Sequence, residues 1–269
     1  MTTFQKVIKY LALSLAIFIC VAIITSLVGG VKLLLDSFDF IKEKDTEYNE
    51  LINYDDSFEQ LDISLKGSNL IIKQDNKFSV ESNDKNIKIY SENGKLRIAD
   101  KNKRIVNKNI KDLIITIPAN TTFEEVNIET GVGTVNVDGL YVNILGISFG
   151  AGKAILKNIN SNKSLIETGT GNVKITDSTL NDMNLEMGIG KMDIDAKITG
   201  NSSIESGIGS LNLNLKMPIS EYGLTIEKGI GSIRLNGKEI SNRTIIGTGD
   251  NFIKVEGGIG SIYINTLEE

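Results

Sequence analysis

A glycine, one residue, a second glycine, one residue and then an aliphatic side chain recur at Gly131, Gly150, Gly169, Gly188 and Gly207, each copy nineteen residues after the last. The second glycines of these copies are Gly133, Gly152, Gly171, Gly190 and Gly209. Two looser copies follow, Gly229 with Gly231 and Gly258 with Gly260, after steps of twenty-two and twenty-nine residues. A constant period of this size means one structural unit stacked on itself.

Aliphatic residues alternate with polar ones on both sides of the glycines. Before them stand Ile128-Glu129, Ile147-Ser148, Ile166-Glu167, Leu185-Glu186, Ile204-Glu205, Ile226-Glu227 and Val255-Glu256. After them come pairs such as Val135 and Val137, Val173 and Ile175, Met192 and Ile194, Leu211 and Leu213, Ile233 and Leu235, and Ile262 and Ile264. Period two is the strand period, so each copy reads as strand, glycine corner, strand, polar corner. The glycines suit a corner where backbones approach closely or φ is positive. One nineteen-residue rung cannot bury its own apolar side. Seven copies stacked at about 4.8 Å make a column of roughly 34 Å with an aliphatic interior. The expected fold class is therefore all-β, a parallel β-solenoid with rungs of about nineteen residues. An antiparallel sandwich is the competing arrangement, but it does not require so constant a period. The longer steps predict loops at residues 217–222 and 241–251, protruding from the side of the stack.

The repeats are preceded by a different kind of sequence. Residues 10–31 are twenty-two consecutive uncharged, mostly apolar residues, enough for roughly 33 Å of helix, which matches a bilayer core. The expectation is a single transmembrane α-helix. Lys6 and Lys9 precede it, and the acidic Asp36, Asp39, Glu43, Asp45 and Glu47 follow soon after Lys32. By the positive-inside tendency, residues 1–9 lie in the cytoplasm and the rest outside, in a bacterial cell membrane crossed once. A removable signal peptide is the alternative, but no small-residue cleavage site follows. Cys20 lies inside the span, preceded by Ile19 rather than the small residue that lipid attachment would need. Residues 32–57 read as an acidic tether. From residue 58 to 125 short alternating runs (Leu61, Ile63, Leu65; Leu70, Ile72; Phe78, Val80; Ile87, Ile89; Leu96, Ile98; Leu113, Ile115, Ile117) predict a strand-rich leading section that Pro118 closes. The glycine repeats occupy residues 126–269.

Composition removes whole classes of chemistry. The chain has no histidine and a single cysteine, which excludes Ser-His-Asp and Cys-His catalysis, histidine-containing metal sites and intrachain disulfides. A net charge of −5 argues against a nucleic-acid partner.

The segment ITIPANTTFEEVNIETGVGTVNVDGL, followed by the nineteen-residue glycine repeats, resembles the bacterial "putative adhesin" glycine-rich β-strand-repeat family of envelope proteins. Its members are often tethered by one N-terminal span. The resemblance covers about residues 58 to 266 and implies a β-solenoid at the cell surface. It carries no ligand, reaction or functional residue, because the matching pattern is structural.

The glutamates are the candidate site. Period two places each opposite a buried aliphatic, so Glu167, Glu186, Glu205, Glu227 and Glu256 should form an exposed row. Neighbours about 4.8 Å apart repel by roughly 0.9 kcal/mol in water, which invites a cation, and low-affinity extracellular Ca2+ sites use such oxygens. The alternative is that they splay into solvent or pair with Lys153, Lys174, Lys191 and Arg234, and discourage lateral sheet pairing. No other cofactor is implied. Gly257-Gly258-Ile259-Gly260 begins like a Ca2+-binding nonapeptide, but Ile262 stands where that motif needs Asp. No copy continues into the Gly-Lys-Ser/Thr of a phosphate loop. Asp193 and Asp195 with Lys191 and Lys174 can be drawn as an acid–base cluster of a polysaccharide-cleaving β-helix, yet nothing separates them from solvated outward positions. The expected function is a non-enzymatic adhesion, binding or scaffolding module of the cell envelope, with envelope-stress sensing through protein contacts as the variant. Its partners would be the membrane, an envelope protein or a cell-surface glycan. End-to-end self-association is a further expectation, because the tail from Thr266 to Glu269 begins two residues after the last strand's Ile264 and would cap that end thinly.

Overall fold

The computed structural model describes residues 49–54, 58–100, 110–241 and 244–268, all of them within one compact unit, Lys44–Glu269. The expected transmembrane helix at 10–31 lies outside them. Among the described residues no helix is long and apolar enough to cross a membrane.

The described part is all-β. Five short strands open it: β1 (Asn49–Tyr54), β2 (Gln60–Leu65), β3 (Ser68–Asp75), β4 (Phe78–Ser82) and β5 (Ile87–Glu92). Then come β6 (Lys95–Asp100), β7 (Lys111–Pro118) and three long elements that run through the glycine corners, β8 (Thr122–Asn181), β9 (Met183–Thr199) and β10 (Asn201–Pro218). After a 3-10 turn at Ile219–Glu221 the chain ends with β11 (Tyr222–Glu227), β12 (Ile230–Leu235), β13 (Lys238–Glu239), β14 (Thr244–Ile246) and β15 (Asn251–Leu267). All belong to one mostly parallel sheet. The strand β1 arises within the segment expected to be tether, pairing antiparallel with β4.

Register follows the repeat. Ile166 lies beside Leu185, and Leu185 beside Ile204, nineteen residues apart each time, which is the pairing a β-solenoid requires. The inward columns are buried throughout: Ile128, Ile147, Ile166, Leu185, Ile204, Val255 and Ile226 on one side, Val137, Leu156, Ile175, Ile194, Leu213 and Ile264 on the other. Each fully buried aliphatic contributes about 1.5–3 kcal/mol, so neighbouring rungs supply the core that one rung lacks. The glycines behave as corners. Gly190 and Gly209 have φ of 142° and 140°, and a β-carbon on Gly209 would run into the carbonyl oxygen of Gly190.

The stacking order differs from chain order at both ends. β15 pairs with β10 on one side and with β11 and β12 on the other. The penultimate copy is therefore outermost, and the last copy is inserted between it and β10. At the other end β2 and β3 pair with β8, while β6 and β7 flank them on the outside. The expectation of side loops at residues 217–222 and 241–251 is corrected accordingly. These segments carry the chain out to the end of the stack and back, and β14 lies antiparallel on β11. The thin cap expected at the C-terminal tail is likewise not an end of the stack, because β15 is internal. Antiparallel strands lie on the outer rungs instead: β5 on β6, β4 on β7, β13 on β12 and β14 on β11.

Candidate functional site

The glutamates lie in register from rung to rung, in an order that chain position does not give. Glu167 lies beside Glu186, Glu186 beside Glu205, Glu205 beside Glu256, and Glu256 beside Glu227. The first three are exposed and Glu256 and Glu227 are half-buried. Glu129 heads the row further down, accepting a hydrogen bond from Ser64 Oγ at 3.2 Å. Among the described residues no three acidic side chains converge as metal ligands would.

None of the basic residues expected as partners forms an ion pair with the row among the described residues. Lys191 Nζ lies 2.8 Å from Asp193, on the other side of the glycine corner, and Lys174 is in register with Asp193. Arg234 faces Tyr263 and Glu239, and Lys153 is exposed. One cation that meets the row is Lys254, which forms an ion pair with Glu256. Its own hydrogen bond and charge contact with Glu256 raise the Lys254 pKa above the ordinary lysine value, and Glu227 and Glu205 add to this.

The drawn acid–base cluster separates into two local pairs. Burial tends to raise the Asp193 pKa, but hydrogen bonds from Lys191 and Asn212 (Nδ2 at 2.5 Å) and the charges of Lys191 and Lys174 outweigh it and hold the carboxyl below its usual range. Asp195 is bound by Lys216 Nζ at 2.5 Å. The Asp193 carboxyl is thus held ionised by its partners, whereas a general acid needs a raised pKa.

Polar columns occupy the second corner too. Asn143 donates to Glu124 at 2.8 Å, Asn162 to Asn143 at 2.8 Å, and Asn181 to the Asn162 carbonyl at 3.0 Å. This asparagine ladder bonds successive rungs where apolar packing ends.

Between the ladder and the glutamate row lies an open groove of about 700 Å3. Its floor is the outward phase of five rungs. Asn201, Phe252 and Gly223 form one column, and Asn184, Ser203, Lys254 and Thr225 another. Lys163 and Asp182, flanking the Ser164–Met183 pair, close its far end. The Phe252 ring is 55% exposed although its strand is internal. It lies over Gly223, where an added β-carbon would come within 2.8 Å of Phe252 Cδ1. Sequence reasoning missed Phe252 and Lys254. The available signal was phase: Phe252 stands four residues before Glu256, where other copies carry Asn201, Asp182 or Lys163.

A sequence profile described as Toastrack DUF4097 matches residues 50–252. No curated protein matches the chain. Among solved structures the chain is similar to a "putative cell adhesion protein" from Clostridium sporogenes, with 17% identity over 82% of this chain and 99% of that one and a TM-score of 0.36. A "putative adhesin" from Bacteroides fragilis gives 14% identity over 83% and 98%, TM-score 0.38. A "putative lipid binding protein" from Parabacteroides distasonis gives 13% over 82% and 96%, TM-score 0.40.

Proposed function

The chain belongs to the Toastrack DUF4097 family, and from that premise we propose that it is a non-enzymatic binding module of the bacterial cell envelope. The reading includes a β-solenoid displayed outside the membrane by a span at residues 10–31. The observation that carries it is the register of the outward side chains. One glutamate per rung, from Glu167 to Glu227, lies in line along a rigid stack, which offers a repeated face to an extended partner rather than a pocket to a small substrate. The acids that might have done chemistry, Asp193 and Asp195, are committed to Lys191, Asn212 and Lys216. Adhesion to a surface glycan or envelope protein uses such a face directly.

The test compares cells displaying the full chain with cells displaying residues 1–57 alone. Retention on surfaces coated with isolated envelope material should be higher for the full chain, and a C-terminal tag should be cleaved by protease added to intact cells. Equal retention, a protected tag, or turnover of the envelope glycan would sink the proposal.

A further inference from the structure

We infer that the groove over Phe252 is a binding site for an uncharged glycan chain, an inference that rests on the binding-module reading and names the place and ligand chemistry within it. Other large apolar side chains are exposed on the stack, and what sets Phe252 apart is its place on the floor of the groove among polar side chains. Covering the Gly223 backbone accounts for one part of the ring, yet more than half of Phe252 is still accessible. The C–H-rich face of a pyranose stacks on such a ring, while its hydroxyls need donors and acceptors around it.

Those groups are present. Asn201 is in register with Phe252, and Asn184 and Ser203 lie in the adjoining outward column. The side-chain amides of Asn184 and Asn201 are exposed and have no hydrogen-bond partner among the described residues, while the Asn201 backbone N–H donates to Asp182 Oδ1 at 2.8 Å. Each amide presents a donor and an acceptor, the pair that two adjacent hydroxyls or an N-acetyl group can bind.

Charge selects among polymers. Lys254 is paired with Glu256, and Lys163 shares the far end of the groove with Asp182. Lys163 and Asp182 offset each other at the far end and the glutamate row flanks the groove, so a polyanion is repelled and the lining itself holds no unpaired charge to select a charged chain. Length fits as well. The floor runs across successive rungs about 4.8 Å apart, close to the advance per residue of a β-1,4-linked pyranose chain. A volume of about 700 Å3 lies within the ordinary range for ligand sites.

The experiment titrates the full chain in detergent with the tetrasaccharides of β-1,4-linked N-acetylglucosamine and of β-1,4-linked glucose, read by calorimetry. Polygalacturonate serves as the anionic control. Saturable binding of at least one neutral tetrasaccharide is expected, weakened about ten-fold by Phe252→Ala, the loss of one aromatic contact. Asn184→Ala with Asn201→Ala should weaken it similarly, and Tyr141→Ala, at an exposed aromatic outside the groove, should not. Melting temperatures of the variants are recorded alongside. A Phe252 variant that melts like the parent and binds the sugar equally well overturns the site. So does polygalacturonate binding in preference to the neutral chains. No binding of either tetrasaccharide overturns it too, and if full-chain cells are still retained on envelope material, the broader reading survives that failure.

Discussion

Glu205 lies beside Glu256, fifty-one residues further along the chain, and Glu256 in turn separates it from Glu227. The strand carrying Glu256 therefore closes a gap left between two earlier rungs. Residues 222–235 do not join the stack through their own chain neighbours, because among the described residues their parallel partner is β15. The outermost rung waits for the last strand to arrive, a non-local step that carries the loop-closure cost of the intervening chain.

Ending the chain at Asp250 should consequently unfold more than it removes. Without β15 the apolar side of Leu224, Ile226 and Ile233, all buried in the intact stack, has nothing to pack on. Hydrogen exchange over residues 222–235 is the measurement. The truncated chain should exchange there at the rate of unstructured peptide, and protection retained at the level of the full chain would contradict the inserted order.

The corner glycines give a second prediction. At Gly209, φ of 140° is open almost only to glycine, and a β-carbon would also strike the Gly190 carbonyl. Strain of about 1–3 kcal/mol adds to overpacking of about 1–3 kcal/mol, so Gly209→Ala should cost on the order of 4 kcal/mol in denaturant unfolding. Gly237, in the turn between β12 and β13, has φ of 77° with nothing near its β-carbon position. Its alanine variant should lose only about 1 kcal/mol. Equal losses at the two sites would remove the close-approach explanation.

These two cases also mark what was legible in advance. The nineteen-residue spacing sufficed for parallel register, inward aliphatics, glycine corners and an outward glutamate row, because period and phase are local properties of the chain. It did not carry the spatial order of the copies at Gly229 and Gly258. An irregular step is compatible with a side loop or with an excursion to the end of the stack, and the choice depends on which strand covers which edge. The same limit hid Lys254. It stands two residues before Glu256, but its nearness to Glu205 and Glu227 exists only once β15 is inserted. Phe252 is an aromatic in outward phase, but it occurs in one copy alone and so carries no repeat signal.

Lys254 relieves crowding at the inserted end of the acidic row. Its raised pKa, caused first by the Glu256 hydrogen bond and charge and then by Glu227 and Glu205, means that the pair's contribution is complete below the unfolded lysine value of 10.5. That contribution is lost as pH rises through the folded pKa. Lys254→Gln should lower the melting temperature at neutral pH in low salt. Because the side chain is exposed, the deficit should shrink steeply toward about 1 M salt, where the screening length falls to about 3 Å. A deficit unchanged by salt would point to lost packing instead of charge.

Tyr222 predicts the alkaline limit of the stack. It is fully buried at the start of the outermost rung, its hydroxyl against the Ile198 backbone but without a hydrogen bond of good geometry. Burial pushes its pKa from 10.0 up to about 12, with the nearby Glu221 adding to the shift. Between those values the unfolded chain releases the phenolic proton and the folded chain keeps it. The unfolded state then binds fewer protons, and stability falls as pH rises. The contribution is intact below pH 10, and a shift of about two units corresponds to roughly 2–3 kcal/mol lost by the time pH passes the folded pKa. Tyr222→Phe should change stability little at pH 7, since the hydroxyl it removes is poorly bonded. Above pH 10 the variant should decline less steeply than the parent in urea titrations. Parallel curves up to pH 12 would mean that the Tyr222 hydroxyl reaches water and that this end of the stack opens before the rest.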